Sequence, residues 1–283
     1  MLLQLAGRHP LLRNDLPASG LAHTGLVIDA RRLRFASPLD LAGIAALAHA
    51  RAGDGHDVEL FLPVDADVTS YAQRMDLIDR LPLDVRITGA LPLDDRVDRH
   101  SELLEISTLT PQTADALSER IGRLAVAGLG PRVGIQVAMS IGELIDNAVS
   151  HGKGQPGAFI AAQVYTGKTT GYRRLEVAVC DSGVGVLDHL RRNPKYADTA
   201  DSAQALRQAL KRGVTGTGEV RGHGLPDLLA QAGLNGPARL VLRSGDGLLR
   251  VGRLRTDASS VRAQTSSTWV QGTWTWLRVS FTP

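Results

Sequence analysis

Glu143 and Asn147 stand four residues apart in the run Glu143-Leu144-Ile145-Asp146-Asn147-Ala148-Val149-Ser150-His151. At ~100° per residue on a helix, Glu143, Asp146, Asn147, Ser150 and His151 share one arc. Val137, Ala138, Ile141, Leu144, Ile145 and Ala148 share the opposite one. A carboxylate and a carboxamide side by side at i and i+4 suit a magnesium-nucleotide site. The amide oxygen is a hard, neutral ligand for Mg²⁺, and the carboxylate can orient or deprotonate a nucleophile. A solvated polar face would carry the same residues.

A second group is Asp181-Ser182-Gly183-Val184-Gly185. It follows a strand pattern in which Leu175, Val177 and Val179 share a face by period two, and Asp181 continues that face. A carboxylate at the end of a buried face must find hydrogen-bond donors. An adenine amino group is one candidate, with Gly183 and Gly185 letting the base approach the backbone. The alternative is a plain Asp-Ser-Gly turn. The third group runs from Gly213 through Gly216, Gly218, Arg221, Gly222 and Gly224 to Leu225, followed by a helical pattern from Pro226. Glycine-rich backbone leading into a helix N-terminus cradles anions, and Arg221 adds a charge that phosphate can pair with.

The elements that must position these groups follow from periodicity and punctuation. In the first part of the chain, residues 26–28 read as a buried strand ending at Asp29, 39–51 as a helix, 58–62 as a second strand, and 67–81 as another helix. Strand and helix alternate, so residues 20–90 read as a small α/β unit. Residues 91–95 read as a connector.

Beyond it, 103–109 reads as a strand. Thr110-Pro111 then places a capping hydroxyl before proline at the start of a helix reaching about Gly128. Pro131 opens a helix that ends near Gly152. Strands are expected at 159–164, 175–180, 240–243, 248–254 and 273–281, with a helix near 202–211 capped by Asp201 and Gln204. Helices followed by a mostly antiparallel run imply a two-layer α/β sandwich.

Composition excludes several classes. The chain has 283 residues, 43% hydrophobic and 22% charged, which is the range of a globular chain with one or two cores. Lys and Arg (32) are interleaved with Asp and Glu (29) without a basic run, whereas a nucleic-acid binder concentrates its positive charge. Cys180 is the only cysteine, so there is no internal disulfide and no cysteine zinc site; its apolar strand setting implies a packed thiol. No apolar run approaches the ~20 residues needed to span a membrane. Arg8, His9, Pro10 and Arg13 make the N-terminus a poor signal peptide. A reducing cytoplasm is the default expectation.

Taken together, a Glu…Asn helix, an Asp-x-Gly-x-Gly after a strand and a glycine-rich helix start, in this order, resemble the GHKL (Bergerat-fold, histidine kinase-like) ATPase superfamily. The resemblance covers about residues 102–283, and Gly272-Thr273 resembles that family's late threonine. It implies ATP and Mg²⁺ as cofactors, Glu143 as the catalytic carboxylate and Asn147 as the metal ligand. It further implies Asp181 as reader of the adenine amino group, with Gly183 and Gly185 lining the base pocket. Arg221, Gly222, Gly224 and Leu225 would lie at the phosphates, with Thr273 also contacting the nucleotide and a lid over 186–222.

The run Glu-x-x-x-Asn-Ala-x-x-x-His-Gly at 143–152 looks closer to the anti-sigma-factor serine/threonine kinases than to histidine kinases. Residues 1–100, with Leu26-Val27-Ile28-Asp29 and Phe35-Ala36-Ser37 leading into an Ala/Leu-rich helix, are similar to a STAS domain. In those domains a serine at this helix start is phosphorylated within an Asp-Ser-Ser-Gly turn; here the stretch reads Ser37-Pro38-Leu39-Asp40, and the turn is lost. The implied division is a STAS-like domain at 1–100 and an ATPase domain at 101–283. A kinase acting on a partner (a sigma factor or a STAS protein), a hydrolytic ATPase and a passive nucleotide-gated module all remain open, as does a homodimer. Finally, Trp274 and Trp276 alternate with the core-facing set Thr273, Leu277, Val279 and Phe281. They should therefore emerge on the far side of the sheet as an apolar patch that wants a cover.

Overall fold

The computed structural model describes residues 1–13, 18–19, 25–92, 101–151, 157–167, 171–211, 213–214, 237–253 and 259–281. Two sheets result. The first combines β1 (Leu2–Arg8), β2 (Ala18–Ser19), β3 (Leu26–Phe35), β4 (Val58–Phe61) and β5 (Arg86–Thr88) in the order β2-β1-β3-β4-β5. All its pairings are parallel except β1 with β2. Helices α1 (Pro38–Gly53) and α2 (Ala66–Arg74) make the crossovers, as parallel neighbours require.

The second sheet contains β6 (Leu103–Leu109), β7 (Ala158–Tyr165), β8 (Arg173–Asp181), β9 (Ala238–Arg253) and β10 (Ser259–Phe281). Its order is β6-β7-β8-β10-β9, antiparallel throughout. Helices α3 (Ala114–Leu129) and α4 (Pro131–His151) lie on one face, and the short helices α5 (Gly185–Arg191) and α6 (Ser202–Ala209) sit toward β9 and β10. The chain is thus an α/β protein in which a parallel sheet and an antiparallel sheet are both packed against helices. None of the described helices is long and apolar enough to cross a membrane.

Two cores follow from strand alternation. Leu175, Val177, Val179, Leu277 and Val279 point to α3 and α4, which contribute Leu117, Ile121, Leu124, Val137, Ile141 and Ile145. Ala178, Cys180, Phe159, Trp274 and Trp276 point the other way, into a core shared with α1 and the first sheet. The two indoles are 2% and 3% exposed. Their cover is α1, which packs on β7, β8 and β10 as well as on β3 and β4.

Every residue from 38 to 48 is buried. A helix apolar all round belongs between two layers rather than at a surface. Gly43 makes the approach possible, since a Cβ there would lie 2.9 Å from the Trp274 ring and 2.8 Å from Leu11. Cys180 is the packed free thiol its setting implied, with its proton affinity pushed up by burial.

Polar groups fasten this seam. Ser37 caps α1 and is fully buried; its O–H donates to Asp40 Oδ2 at 2.7 Å, and its N–H does so at 2.8 Å. Asp40 Oδ1 accepts the Leu11 N–H at 3.0 Å. From β9, Arg243 Nε donates to Leu11 O at 2.7 Å, a second Arg243 N–H reaches Arg13 O, and Arg250 reaches Leu12 O. Residues 11–13, at the end of a 3₁₀ turn (Pro10–Leu12), are therefore held by α1 and by β9 of the second sheet at once. Burial raises Asp40 to about 6 against the pull of these donors.

Several elements differ from the sequence reading. β1 was not foreseen, because the polar Arg8 and His9 and the break at Pro10 masked its alternation. The helix expected over 67–81 stops at Arg74. Asp76 then adopts φ 60, so that Met75 and Leu77 both turn into the core, and a short 3₁₀ turn follows at Ile78–Arg80. Thr110 does not cap α3. It closes a preceding turn with Thr113, through N–H to Oγ1 bonds of 2.9 and 3.2 Å in the two directions, and the helix begins at Ala114. The strands expected at 240–243 and 248–254 are one strand, β9. β10 begins at 259, and its first half pairs back onto β9 before bulges between 265 and 273 return it to the sheet.

Candidate functional site

The site is built where β8 ends. Asp181 continues the face of Leu175, Val177 and Val179, and its carboxylate is buried. Its Oδ1 accepts the N–H of Gly183 at 2.8 Å and that of Thr273, on the neighbouring β10, at 3.1 Å. Oδ2 takes no hydrogen bond among the described residues. Burial raises the carboxyl to about 6, with the two N–H groups pulling the other way. The result is an acceptor with one oxygen anchored and one uncommitted.

The turn itself is clamped from three sides. Ser182 N–H donates to Gly157 O at 3.1 Å, and Gln271 Nε2 donates to Ser182 O at 3.2 Å. Ser244 on β9 accepts the Val186 N–H at 2.8 Å and donates to Gly272 O at 2.8 Å. Gly185 (φ +78) starts α5, where a Cβ would stand 2.8 Å from Ser244 Oγ. Gly272 (φ +74) is tighter, with 2.1 Å between a Cβ and Asp181 O. These glycines thus admit neighbouring backbone and a serine hydroxyl, a reason for glycine distinct from room for a base. Gly183 is buried, with its N–H turned to Asp181.

Glu143, Asp146, Asn147 and Ser150 are exposed on α4, while Leu144, Ile145 and Ala148 bury the opposite side against the sheet. α4 packs on β8. Gly157, shortly after α4, ties the chain leaving that helix to the Asp181 turn through Ser182. Among the described residues no cluster of three or more His, Cys, Asp or Glu is placed to hold a metal. Asn147 offers one neutral oxygen, which suits a Mg²⁺ whose other ligands are phosphate oxygens and waters.

Asp181, Gly183, Gly185 and Thr273 are thus brought into one constellation. Glu143 and Asn147 lie together on α4. Arg221, Gly222, Gly224 and Leu225 lie outside the described residues, as does the side chain of His151. Of the expected lid at 186–222, residues 186–211 continue α5 from Gly185 and then form a 3₁₀ turn at Pro194–Tyr196 and α6. Asp201 accepts the Gln204 N–H at 2.7 Å, and Gln204 returns a bond to Ala200 rather than to the cap residue.

Sequence reasoning missed Ser244, Gln271 and Gly157. Only Ser244 left a trace, as the first residue of a Ser-Gly pair interrupting an apolar strand. It also left Ser37 open as a phosphoacceptor, whereas the structure seals that hydroxyl against Asp40.

No family model matches the chain, and no curated protein does. Among solved structures, the chain is similar to the topoisomerase IV ATP-binding domain of Francisella tularensis in complex with a small-molecule inhibitor. The two are 13% identical, the match covers 64% of this chain and 75% of that one, and the TM-score is 0.28.

Proposed function

We propose that the chain binds Mg·ATP, with Asp181 reading the base, and acts as a regulatory serine/threonine kinase of the anti-sigma-factor type on a partner protein. The observation that carries the nucleotide reading is the Asp181 carboxylate, buried and anchored through Oδ1 alone. The second oxygen takes no hydrogen bond among the described residues and is therefore open to a donor that a ligand supplies. The exocyclic amine of adenine is such a donor. On α4, Asn147 would ligate the magnesium carried by the phosphates, and Glu143, one turn earlier, would orient the attacking hydroxyl or water. Arg221, Gly222, Gly224 and Leu225 would meet the phosphates, and Gly183, Gly185 and Thr273 would shape the base end.

The burial of Ser37 bears on the kinase reading. The acceptor would be a serine on another protein, a sigma factor or a separate STAS protein, rather than the chain's own STAS-like residues 1–100. The second reading is an ATPase or nucleotide-gated switch, favoured by the exposure of Glu143, which leaves it open to water as readily as to a protein hydroxyl. Incubation with γ-labelled ATP separates the readings. Label on a partner protein supports the kinase, label released as phosphate supports the ATPase, and retention on unchanged nucleotide leaves the passive switch. Failure to bind nucleotide at all removes the proposal.

A further inference from the structure

The face of the second sheet that looks toward α1 is ordered in rows across β10, β8 and β7. Trp274–Cys180–Phe159 and Trp276–Ala178–Ala161 are apolar and lie in the shared core. The next two rows are Arg278–Glu176–Gln163 and Ser280–Arg174–Tyr165. Charge therefore enters this covered face at one end, where the first sheet's unit contributes Tyr71 and His9. Tyr71 donates to Gln163 Oε1 at 2.6 Å.

Among the described residues, this corner holds several polar atoms without partners. Arg174 Nε, Tyr165 Oη, His9 Nδ1, Trp276 Nε1 and Glu176 Oε2 are buried atoms without a hydrogen-bond partner among the described residues. Arg174 Nε stands 3.5 Å from Glu176 Oε1, an ion pair without a hydrogen bond. Trp276 N–H lies close enough to Glu176 to favour its charged form, but out of bonding geometry. Folded chains leave few such atoms unpaired; of the five, Arg174 Nε, the Tyr165 hydroxyl and Trp276 Nε1 are donors that an acceptor group placed among them would satisfy.

The surrounding charge gives the sign of that group. The charges that lower the proton affinity of the His9 ring are the cations Arg8, Arg278, Arg174 and Arg13. Burial first, and then these charges, bring the imidazole down to about 4. Glu176 is the carboxylate among them, and burial raises its proton affinity against both of its arginines. The Arg174 guanidinium lies over the Tyr165 ring at 4.2 Å, and that of Arg278 is 5.7 Å from the Trp276 ring. Stacking orients both guanidiniums while consuming none of their N–H donors.

We propose that this corner is a second ligand site, for a small phosphate-type oxyanion held by Arg174, Arg278 and the Tyr165 hydroxyl at the seam between the two sheets. It is separate from the Asp181 site. Arg174 and Asp181 point to opposite faces of β8, and the seven residue steps from one to the other span roughly 23 Å of strand. An oxyanion bound here bridges β8 and β10 to residues 8–9 of the first sheet's unit, so its occupancy strengthens the attachment of that unit. Free phosphate and a small phosphomonoester share the chemistry.

The test uses the full chain, with tryptophan emission and thermal unfolding followed against inorganic phosphate and glycerol phosphate at constant ionic strength. The expected result is a saturable response to phosphate, unchanged by Mg·ATP. Tighter binding of the ester would identify a phosphomonoester as the source. Arg174→Gln should weaken the response at least about tenfold. Glu176→Gln preserves shape and removes the opposing charge, so it should tighten binding on the order of tenfold, a result that stands even if Arg174→Gln fails to fold. A linear response no larger than that to chloride, competition by ATP, or weaker phosphate binding in Glu176→Gln would each overturn the site. Loss of ATP binding with the phosphate response intact would remove the nucleotide reading alone.

Discussion

Asp181 and Thr273 are 92 positions apart in the chain and meet at 3.1 Å, the Thr273 N–H donating to the carboxylate oxygen that also takes Gly183. Because Oδ1 is taken by N–H groups of the turn after β8 and of β10, Oδ2 is the oxygen left for a base in the proposed reading. Asp181→Asn keeps the Oδ1 contacts and converts Oδ2 to an amide donor. ATP affinity should fall by about 1–3 kcal/mol and GTP should gain, because a donor now faces a purine carbonyl. Isothermal titration with both nucleotides measures this, and equal wild-type affinities for ATP and GTP would reduce Asp181 to a turn residue.

The same carboxyl gives opposite pH trends for stability and for binding. Its proton is held to about pH 6 in the folded chain, against an ordinary 3.8. Between these values the folded state binds more protons than the unfolded state, so this group's contribution to stability is lost as pH rises through about 6. ATP affinity should rise across that range, since an amine donor needs the charged acceptor. Titrations at pH 5 and pH 7.5 test this, and tighter binding at pH 5 would refute it.

Asn147→Ala should weaken Mg·ATP binding by about 1–3 kcal/mol while barely touching metal-free nucleotide. Asn147 is exposed, so the melting temperature without nucleotide should hold steady. Equal weakening with and without magnesium would exclude Asn147 as a ligand.

Asp40→Ala should destabilise the chain by about 2–4 kcal/mol, more than Ser37→Ala. It leaves the buried N–H groups of Leu11 and Ser37 unpaired and removes half of the α1 capping box. Urea unfolding of the two variants compares them. A larger loss in Ser37→Ala would place the weight on the cap hydroxyl instead.

The legible parts of this molecule were those that one face determines. The polar arc of α4 and the alternation of β8 ending at Asp181 are properties of a single element, and β6 was found with the bounds 103–109. What escaped depends on two elements at once. α1 reads as an ordinary Ala/Leu helix, and nothing in its letters says that a second sheet covers its outer side. Ser244 matters only because bulges in β10 bring Gly272 within 2.8 Å of it. The first half of β10 offers only Val261 and Ala263 between Ser260, Arg262 and Gln264, a short alternation with an exposed valine, because it pairs with β9 alone.

Removal of residues 1–100 should uncover Trp274 and Trp276, moving their emission to longer wavelength and promoting aggregation. An unshifted, monodisperse 101–283 fragment would show that α1 is not their necessary cover. If Mg·ATP changes indole emission in the full chain, the nucleotide site communicates with this seam; unchanged emission would limit the first sheet's unit to a structural role.

The helix α1, walled in on all sides, also has a history during synthesis. One of its walls carries Trp274 and Trp276, residues made more than two hundred positions after the helix ends at Gly53. At ribosomal speeds of about 5–20 residues per second, the helix waits roughly ten to fifty seconds for that wall. Over that interval the nascent chain presents an apolar helix face with nothing of its own to cover it. Such a face is a substrate for holding chaperones, and slow translation of the last strand should lower the yield of folded protein more than slow translation of the first.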